Sequence, residues 1–106
     1  MKTCYSHHCS PTAIAVVDLC RCSHPQGYAI TEVYVPANYR QQGIATRLME
    51  EVIEDAELEE ETLALRVAPY GDGLMEVEQL EDWYARLGFR RSGRGDYMVR
   101  FPGQDE

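Results

Sequence analysis

The stretch Thr31–Met49 reads TEVYVPANYRQQGIATRLM, and its pattern changes from strand to helix at Gly43. Val33 and Val35 share one face of an extended segment, and Pro36 ends its pairing because proline has no N–H to donate. After Gly43, apolar residues recur at steps of three and four, as on one face of a helix. The first amides of a helix lack internal partners and lie at the positive end of its dipole. This strand, glycine loop and helix start therefore predict an anion site.

The length and charge of the chain limit the class of protein. Its 106 residues fit one domain with a small core, and no apolar run is long enough to span a membrane. The first residues contain no apolar signal-peptide core, so we expect a soluble protein of the cytoplasm. A net charge of −8 argues against nucleic acid as a partner, because neutralising phosphates requires clustered Lys and Arg. The charge is compatible with a cationic acceptor and equally with plain solubility.

All four cysteines lie in the first quarter of the chain, near the histidines. The cysteines are Cys4, Cys9, Cys20 and Cys22, and the histidines are His7, His8 and His24. Thiolates and imidazoles are the ligands that zinc prefers, but Cys20-x-Cys22 is too tight for the usual two-residue spacer. Zinc and disulfides therefore rank behind free thiols in a reducing compartment, and we predict no metal site.

Apolar periodicity and turn residues predict two helices and five strands. The predicted strands are Ala13–Leu19, Tyr28–Val35, Thr62–Val67, Phe89–Gly93 and Tyr97–Phe101, and the predicted helices are Gln42–Glu57 and Glu76–Leu87. Turns are expected at His24–Gly27 and Pro69–Gly73, where proline and glycine occur together. Residues 1–11 are either a frayed end or a short edge strand, and 102–106 form a loose tail.

The order β-β-α-β-α-β-β predicts an α/β (α+β) fold in a single domain of residues 1–106: a mixed, largely antiparallel sheet flanked by helices. The first two strands should form an antiparallel hairpin. Thr62–Val67 should run parallel to Tyr28–Val35 through a right-handed crossover. The acidic run Glu57–Glu61 is expected to be a solvated connection.

Two motifs resemble those of the GNAT acetyltransferases. Arg40-x-x-Gly43-x-Ala45 is similar to the acetyl-CoA loop of that family, Gln/Arg-x-x-Gly-x-Gly/Ala. The stretch WYARLGF, residues 83–89, resembles the family's late Tyr-x-x-x-Gly-Phe motif. The resemblance covers residues 27–100. GNAT proteins normally have a further strand and a helical pair ahead of the first hairpin, and those helices wall the acceptor site. This sequence lacks these elements.

The resemblance implies acetyl-CoA as the cosubstrate. The pyrophosphate is expected to contact the Arg40 side chain and the first amides of the helix. The preceding strand is expected to splay from its neighbour, so that its backbone pairs with the pantetheine arm and polarises the thioester carbonyl. The residues expected to bind the coenzyme are Val33, Tyr34, Val35, Arg40, Gln41, Gln42, Gly43, Ile44, Ala45 and Thr46.

The resemblance also implies a general acid, Tyr84, which stands where the family's tyrosine protonates the coenzyme thiolate. Tyr84 also lies on the apolar face of its predicted helix, so core packing is the alternative. Glu32 is the candidate general base, although strand alternation sets it opposite Val33 and Val35; a water chain or a partly deprotonated acceptor are alternatives. Tyr28, Tyr70 and Asp72 are the candidate acceptor-binding residues.

The sequence therefore predicts an N-acetyltransferase that acetylates a primary amine of a small molecule or of a protein. A second subunit would complete the acceptor wall, which favours a homodimer. One alternative is a non-catalytic module that binds acetyl-CoA or CoA. The other is an interaction protein whose N-terminus is clasped by zinc.

Overall fold

A six-stranded mixed sheet forms the centre of the molecule. The computed structural model describes residues 1–23, 26–40, 42–67, 77–93 and 95–103. The strands are β1 (Cys4–Ser10), β2 (Ala13–Ser23), β3 (Gln26–Tyr34), β4 (Thr62–Arg66), β5 (Arg90–Arg91) and β6 (Tyr97–Arg100), arranged in the order β1-β2-β3-β4-β6-β5. Only β3 and β4 pair in parallel, and the other four neighbouring pairs are antiparallel. The predicted hairpin and the predicted parallel pair are both confirmed.

Residues 1–11 contain the first strand rather than a frayed end. Tyr5 of β1 is buried opposite Val17 of β2, and its hydroxyl donates to the Asp55 carboxylate at 2.6 Å. Burial, followed by this hydrogen bond, raises the pKa of Tyr5. The element order is therefore β-β-β-α-β-α-β-β, one strand more than the sequence predicted.

Two helices join the strands. They are α1 (Ile44–Glu59), between β3 and β4, and α2 (Val77–Arg86), between β4 and β5. The apolar stripe predicted for α1 is the buried face, with Leu48, Met49, Val52 and Ala56 in the core. Leu80 and Tyr84 supply the buried face of α2. In the described parts of the chain, neither helix is long and apolar enough to cross a membrane.

Both helices pack on the same face of the sheet. Their buried residues form one cluster with alternate strand residues, including Val17, Ile30 and Leu65. The intervening strand residues point to the opposite face, because side chains alternate along a strand. In the described residues no helix lies on that second face, and Ile14 and Tyr34 there are 41% and 42% exposed. We call it the open face.

The acidic run Glu57–Glu61 is mostly exposed, as the sequence predicted, but only its last two residues form the connection to β4. Its first three residues form the last turn of α1, and Glu60 follows with a left-handed backbone at φ 55°. The Glu57 carboxylate accepts a hydrogen bond of 2.6 Å from Arg100, whose side chain is 1% exposed. A buried guanidinium needs such a partner, so this carboxylate has a structural role.

Candidate active site

The strand β3 is paired along both edges at its start but along only one at its end. Ile30 is the last residue that pairs with β4, opposite Leu65. The residues beyond it, up to Tyr34, continue to pair with β2 alone. The edge of β3 that faces β4 therefore has backbone groups without ladder partners in the described structure, which are available to another extended chain.

A β-bulge marks the point where the two strands part. Thr31 is the extra residue, because Asp18 pairs with Glu32 whereas the next residue, Leu19, pairs with Ile30. The Thr31 hydroxyl donates to the Asp18 carbonyl at 3.2 Å, which holds the bulge against β2. Bulges bend a strand and increase its twist. The bulge therefore turns the second half of β3 away from the line of β4.

The loop after β3 is tied back to the end of that strand. Pro36 precedes a short 3-10 helix, Ala37–Tyr39, and the Tyr39 amide donates to the Pro36 carbonyl at 2.9 Å. The Arg40 guanidinium donates through Nε to the Val35 carbonyl at 2.9 Å. One edge of the guanidinium thus anchors the loop to the segment that follows the splayed half of β3.

The helix α1 begins at this loop with its first amides uncapped. Gly43 occupies the N-cap position with φ 79°, and its carbonyl accepts the first helical hydrogen bond, from the Arg47 amide, at 3.0 Å. No side chain caps this end, and the first turn contains no acidic residue. A Cβ added to Gly43 would meet no atom within 4 Å. The first amides of α1 therefore lie beside open space, which suits an anion.

The second motif, WYARLGF, fixes Tyr84 inside the core. Gly88 has φ 98°, and the amides of Gly88 and Phe89 donate to the carbonyls of Ala85 and Tyr84, each at 3.0 Å. This is a Schellman ending, which needs a residue with left-handed backbone at the position of Gly88. It folds the Phe89 ring back onto the Tyr84 ring, edge to face, with 5.9 Å between centroids. Tyr84 is fully buried.

A side-chain hydrogen bond connects the two motifs. The Trp83 indole N–H donates to the Thr46 hydroxyl, in the first turn of α1, at 3.0 Å. The Trp83 ring also lies 5.0 Å from the Tyr84 ring. The start of α1 and the part of α2 that carries Tyr84 are therefore held together on the helix-covered face of the sheet.

A cavity of about 230 Å³ lies where β3 and β4 part. Its lining residues are Ala29, Ile30, Thr31, Ala64, Leu65, Arg66 and Tyr97. Ala29 and Ala64 are opposite each other on the open face, and Arg66 and Tyr97 form the next pair along that face. Arg66 donates to the Asp96 carboxylate at 3.0 Å, and this hydrogen bond lowers the pKa of Asp96.

The candidate general base and acceptor residues are more scattered than the coenzyme residues. Glu32 is exposed and lies opposite Asp18, on the open face beside the bulge. Tyr28 lies before the parting of the strands and faces the helices, where the Arg21 guanidinium is 5.0 Å from its ring. It is not among the residues that line the cavity. Tyr70 and Asp72 lie outside the described residues, as does Gln41 of the coenzyme loop.

Sequence reasoning missed the groups that shape this site from neighbouring strands. Asp18, which the sequence does not single out, flanks the bulge. A hydrogen bond between its carboxylate and the Cys4 thiol also raises the pKa of Cys4. The sequence predicts Thr31 only as one residue of the strand Tyr28–Val35. Neither leaves a local signal, because a bulge is a property of two paired strands. All four cysteines are free thiols, and the described residues contain no cluster of three or more metal-ligating side chains.

Comparison with known proteins identifies the family of the chain. Residues 8–91, more than half of the chain, match the family model described as acetyltransferase (GNAT) domain. The chain is similar to the anti-CRISPR protein AcrVA5, with a TM-score of 0.64 and 18% identity over 92% of this chain and 98% of that one. It is also similar to a GNAT-family acetyltransferase from Staphylococcus aureus Mu50, with a TM-score of 0.61 and 20% identity over 82% of this chain and 58% of that one. At these identities the two structures support the fold alone. No curated protein matches the sequence significantly.

Proposed function

Because the chain belongs to the GNAT acetyltransferase family, we propose that it transfers the acetyl group of acetyl-CoA to a primary amine. The observation that carries this proposal is the parting of β3 from β4 beyond the Ile30–Leu65 pair, beside the uncapped start of α1. An extended arm fits against the free edge of β3, and a pyrophosphate fits at the first amides of α1. The two binding features are adjacent, since β3 leads directly into the loop.

The residues present fit the coenzyme in chemical type as well as in position. Backbone groups of Val33 and Tyr34 would pair with the amides of the pantetheine arm. The amides of Ile44, Ala45 and Thr46 would donate to the pyrophosphate, with Gly43 leaving the approach open. Acetyl-CoA supplies the acetyl group as a thioester, which is activated towards attack by an amine.

Tyr84 would act as the general acid of the transfer. As the amine nitrogen bonds to the acetyl carbon, the carbon–sulfur bond breaks, and the departing sulfur takes a proton from the Tyr84 hydroxyl. Backbone amides of β3 beyond the bulge would stabilise the negative charge that develops on the carbonyl oxygen. Glu32 remains the candidate that removes a proton from the amine.

Calorimetric titration with acetyl-CoA and CoA, followed by a thiol-release assay with primary amines, tests the proposal. Micromolar binding and amine-dependent release of CoA would support it. Binding without release for any amine would favour a non-catalytic coenzyme-binding module instead. Absence of binding to either compound would overturn the assignment of the loop from Arg40 to Ala45.

Two further points belong to the same proposal. The protein is proposed to act in the cytoplasm, because four free thiols suit a reducing compartment. The homodimer stays a prediction. Light scattering on the purified protein would test it, since a monomeric mass at working concentration would contradict a shared acceptor wall.

A further inference from the structure

Trp83 is the only tryptophan of the chain, and it contacts both parts of the candidate site. Its indole N–H donates to the Thr46 hydroxyl, in the first turn of α1, at 3.0 Å. Its ring lies 5.0 Å from the Tyr84 ring, and the two ring planes are tilted by 46°. The side chain is partly buried against the core. One residue of α2 thus contacts the start of α1 through its polar atom and the tyrosine through its ring.

The hydrogen bond from Trp83 determines how the Thr46 hydroxyl can be used. An indole N–H can only donate, so the Thr46 oxygen is the acceptor and the hydroxyl proton takes no part in this bond. Thr46 is the third residue of α1, whose first turn has no side-chain cap and no acidic residue. The hydroxyl proton can therefore join the first amides of α1 as a further donor to an anion.

The contact also makes the Thr46 hydroxyl a better donor. Hydrogen bonds in a chain polarise one another, and this strengthening is larger in a partly buried site than in water. The indole holds the Thr46 side chain in one position, and a group that is already in place loses less freedom when a ligand binds. Both effects favour a ligand that carries a hydrogen-bond acceptor at the first turn of α1.

From these contacts we infer that Trp83 is a positioning residue for the coenzyme. It acts through the Thr46 hydroxyl, which it holds and polarises as a donor to the pyrophosphate, while its ring packs against Tyr84. The inference rests on the proposed acetyl transfer and adds a side chain of α2 to the coenzyme site. Loss of the indole N–H should therefore weaken coenzyme binding and leave the chemical step unchanged.

Fluorescence of the unaltered protein tests this role directly, because all tryptophan emission comes from Trp83. Indole emission responds to the hydrogen bond at the N–H and to the polarity around the ring. The emission should change on titration with CoA, with the same midpoint as in calorimetry. If CoA binds in calorimetry without any change in the emission, the inference is wrong.

Trp83→Phe keeps a ring beside Tyr84 and removes the N–H. The dissociation constant of CoA and the KM for acetyl-CoA should rise about threefold to tenfold, the equivalent of one lost hydrogen bond, while kcat stays within about twofold. S-acetylpantetheine has no pyrophosphate, so its kcat/KM should change less than about twofold in this variant. Tyr5→Phe is the structural control, since it also deletes a hydrogen bond to α1, the one between Tyr5 and Asp55. It should leave CoA affinity unchanged.

A double variant shows whether Trp83 and Thr46 act together. Thr46→Val should weaken CoA binding at least as much as Trp83→Phe, because it removes both the acceptor for the indole and the donor to the pyrophosphate. Adding Trp83→Phe to Thr46→Val should cause little further loss, since the indole acts only through the hydroxyl. Thr46→Ser keeps a hydroxyl and should bind CoA more tightly than Thr46→Val.

The outcomes separate this inference from the proposed function. Unchanged CoA affinity in Trp83→Phe, an equal loss with S-acetylpantetheine, or losses that add fully in the double variant would each overturn the positioning role and leave acetyl transfer intact. If Trp83→Phe does not fold, fluorescence of the unaltered protein still decides. Absence of CoA binding to the unaltered protein would overturn the proposed function, and the inference with it. Binding without CoA release for any amine would overturn the transfer alone, and the CoA affinities of the variants would still test Trp83.

Discussion

The two ends of the central strand pair, β3 and β4, differ in how closely the two strands approach each other. At the start of β3, Gly27 lies against Thr62, and a Cβ on that glycine would be 2.1 Å from the Thr62 carbonyl oxygen. At the other end, beyond Ile30, β3 has no β4 partner, and a Cβ on Gly43 would meet nothing. We call these the closed end and the split end. The backbones of β3 and β4 approach closely at the closed end, whereas backbone groups of β3 are left available at the split end.

The helix α1 runs from the split end to the closed end. Its first turn lies at the split end with no side-chain cap. Its last turn lies at the closed end, where Glu57 accepts hydrogen bonds from Arg100 and from the Gly103 amide, and Arg100 also donates to the Leu87 carbonyl at 2.9 Å. Substitutions at the closed end should therefore reduce stability, whereas substitutions at the split end should reduce function with little loss of stability.

The largest effect is expected for Gly43→Glu at the split end. Acetyl-CoA binding should become undetectable, because a carboxylate would occupy the position proposed for the pyrophosphate and repel it. Stability should fall by only about 1 kcal/mol, the cost of a left-handed backbone in a non-glycine residue. Calorimetry and urea unfolding measure the two quantities. Gly43→Ala, with equal backbone strain and no charge, should still bind, and unchanged affinity in Gly43→Glu would contradict the loop assignment.

At the closed end, Gly27→Ala should lower the free energy of unfolding by about 3 kcal/mol, because the added methyl group meets the Thr62 backbone, which has little room to shift. Gly93→Ala is the matched control. Its backbone is also left-handed, at φ 84°, but open space surrounds it, so about 1 kcal/mol is expected. Urea unfolding of both proteins measures the difference. Equal losses would mean that the close approach of β3 and β4 does not limit the fold.

Tyr84→Phe should lower turnover about 100-fold while acetyl-CoA affinity stays within twofold, because only the proton donor is lost. Steady-state kinetics and calorimetry give the two values. Tyr5→Phe is the control, as Tyr5 is a second buried tyrosine whose hydroxyl bonds Asp55 at the opposite side of the core. It should lose about 1 kcal/mol of stability and no turnover. Full turnover in Tyr84→Phe would leave that tyrosine a packing role alone.

The smallest effect concerns the acid sensitivity of the closed end. The hydrogen bond from Arg100, followed by that from Gly103, lowers the pKa of Glu57 below 4.5. Because the pKa of Glu57 is higher in the unfolded chain, the unfolded chain takes up a proton at this carboxylate first as the pH falls. The stabilisation by Glu57 is therefore complete above pH 4.5 and is lost as the pH falls through the folded-state pKa.

Glu57→Gln should consequently remove about 1 kcal/mol at pH 7 and flatten the fall in stability below pH 4.5. Chemical unfolding at a series of pH values measures both. Glu54→Gln, a change at an exposed position on the same helix, should not alter the fall in stability below pH 4.5. If the two variants show the same pH profile, the Arg100 contact does not govern the acid response.

The local parts of this protein follow from its amino-acid pattern alone. The change of period at Gly43 gave the start of α1 to within two residues, because apolar spacing and glycine act over a single turn. The same holds for Gly88, which ends α2 and turns Phe89 towards Tyr84. The parallel pairing of β3 with β4 also followed, since a helix between two strands is the usual crossover that joins parallel neighbours.

The groups that meet across the fold are visible only once the strands and helices are packed together. The bulge at Thr31 exists through the register of β3 against β2, and Glu57 acquires its role from Arg100, 43 residues away. The placement of Tyr28 before the split, away from the cavity, likewise depends on where β3 leaves β4. Register, burial and ion pairing arise between segments distant in the chain, whereas periodicity and turn residues describe only one segment at a time.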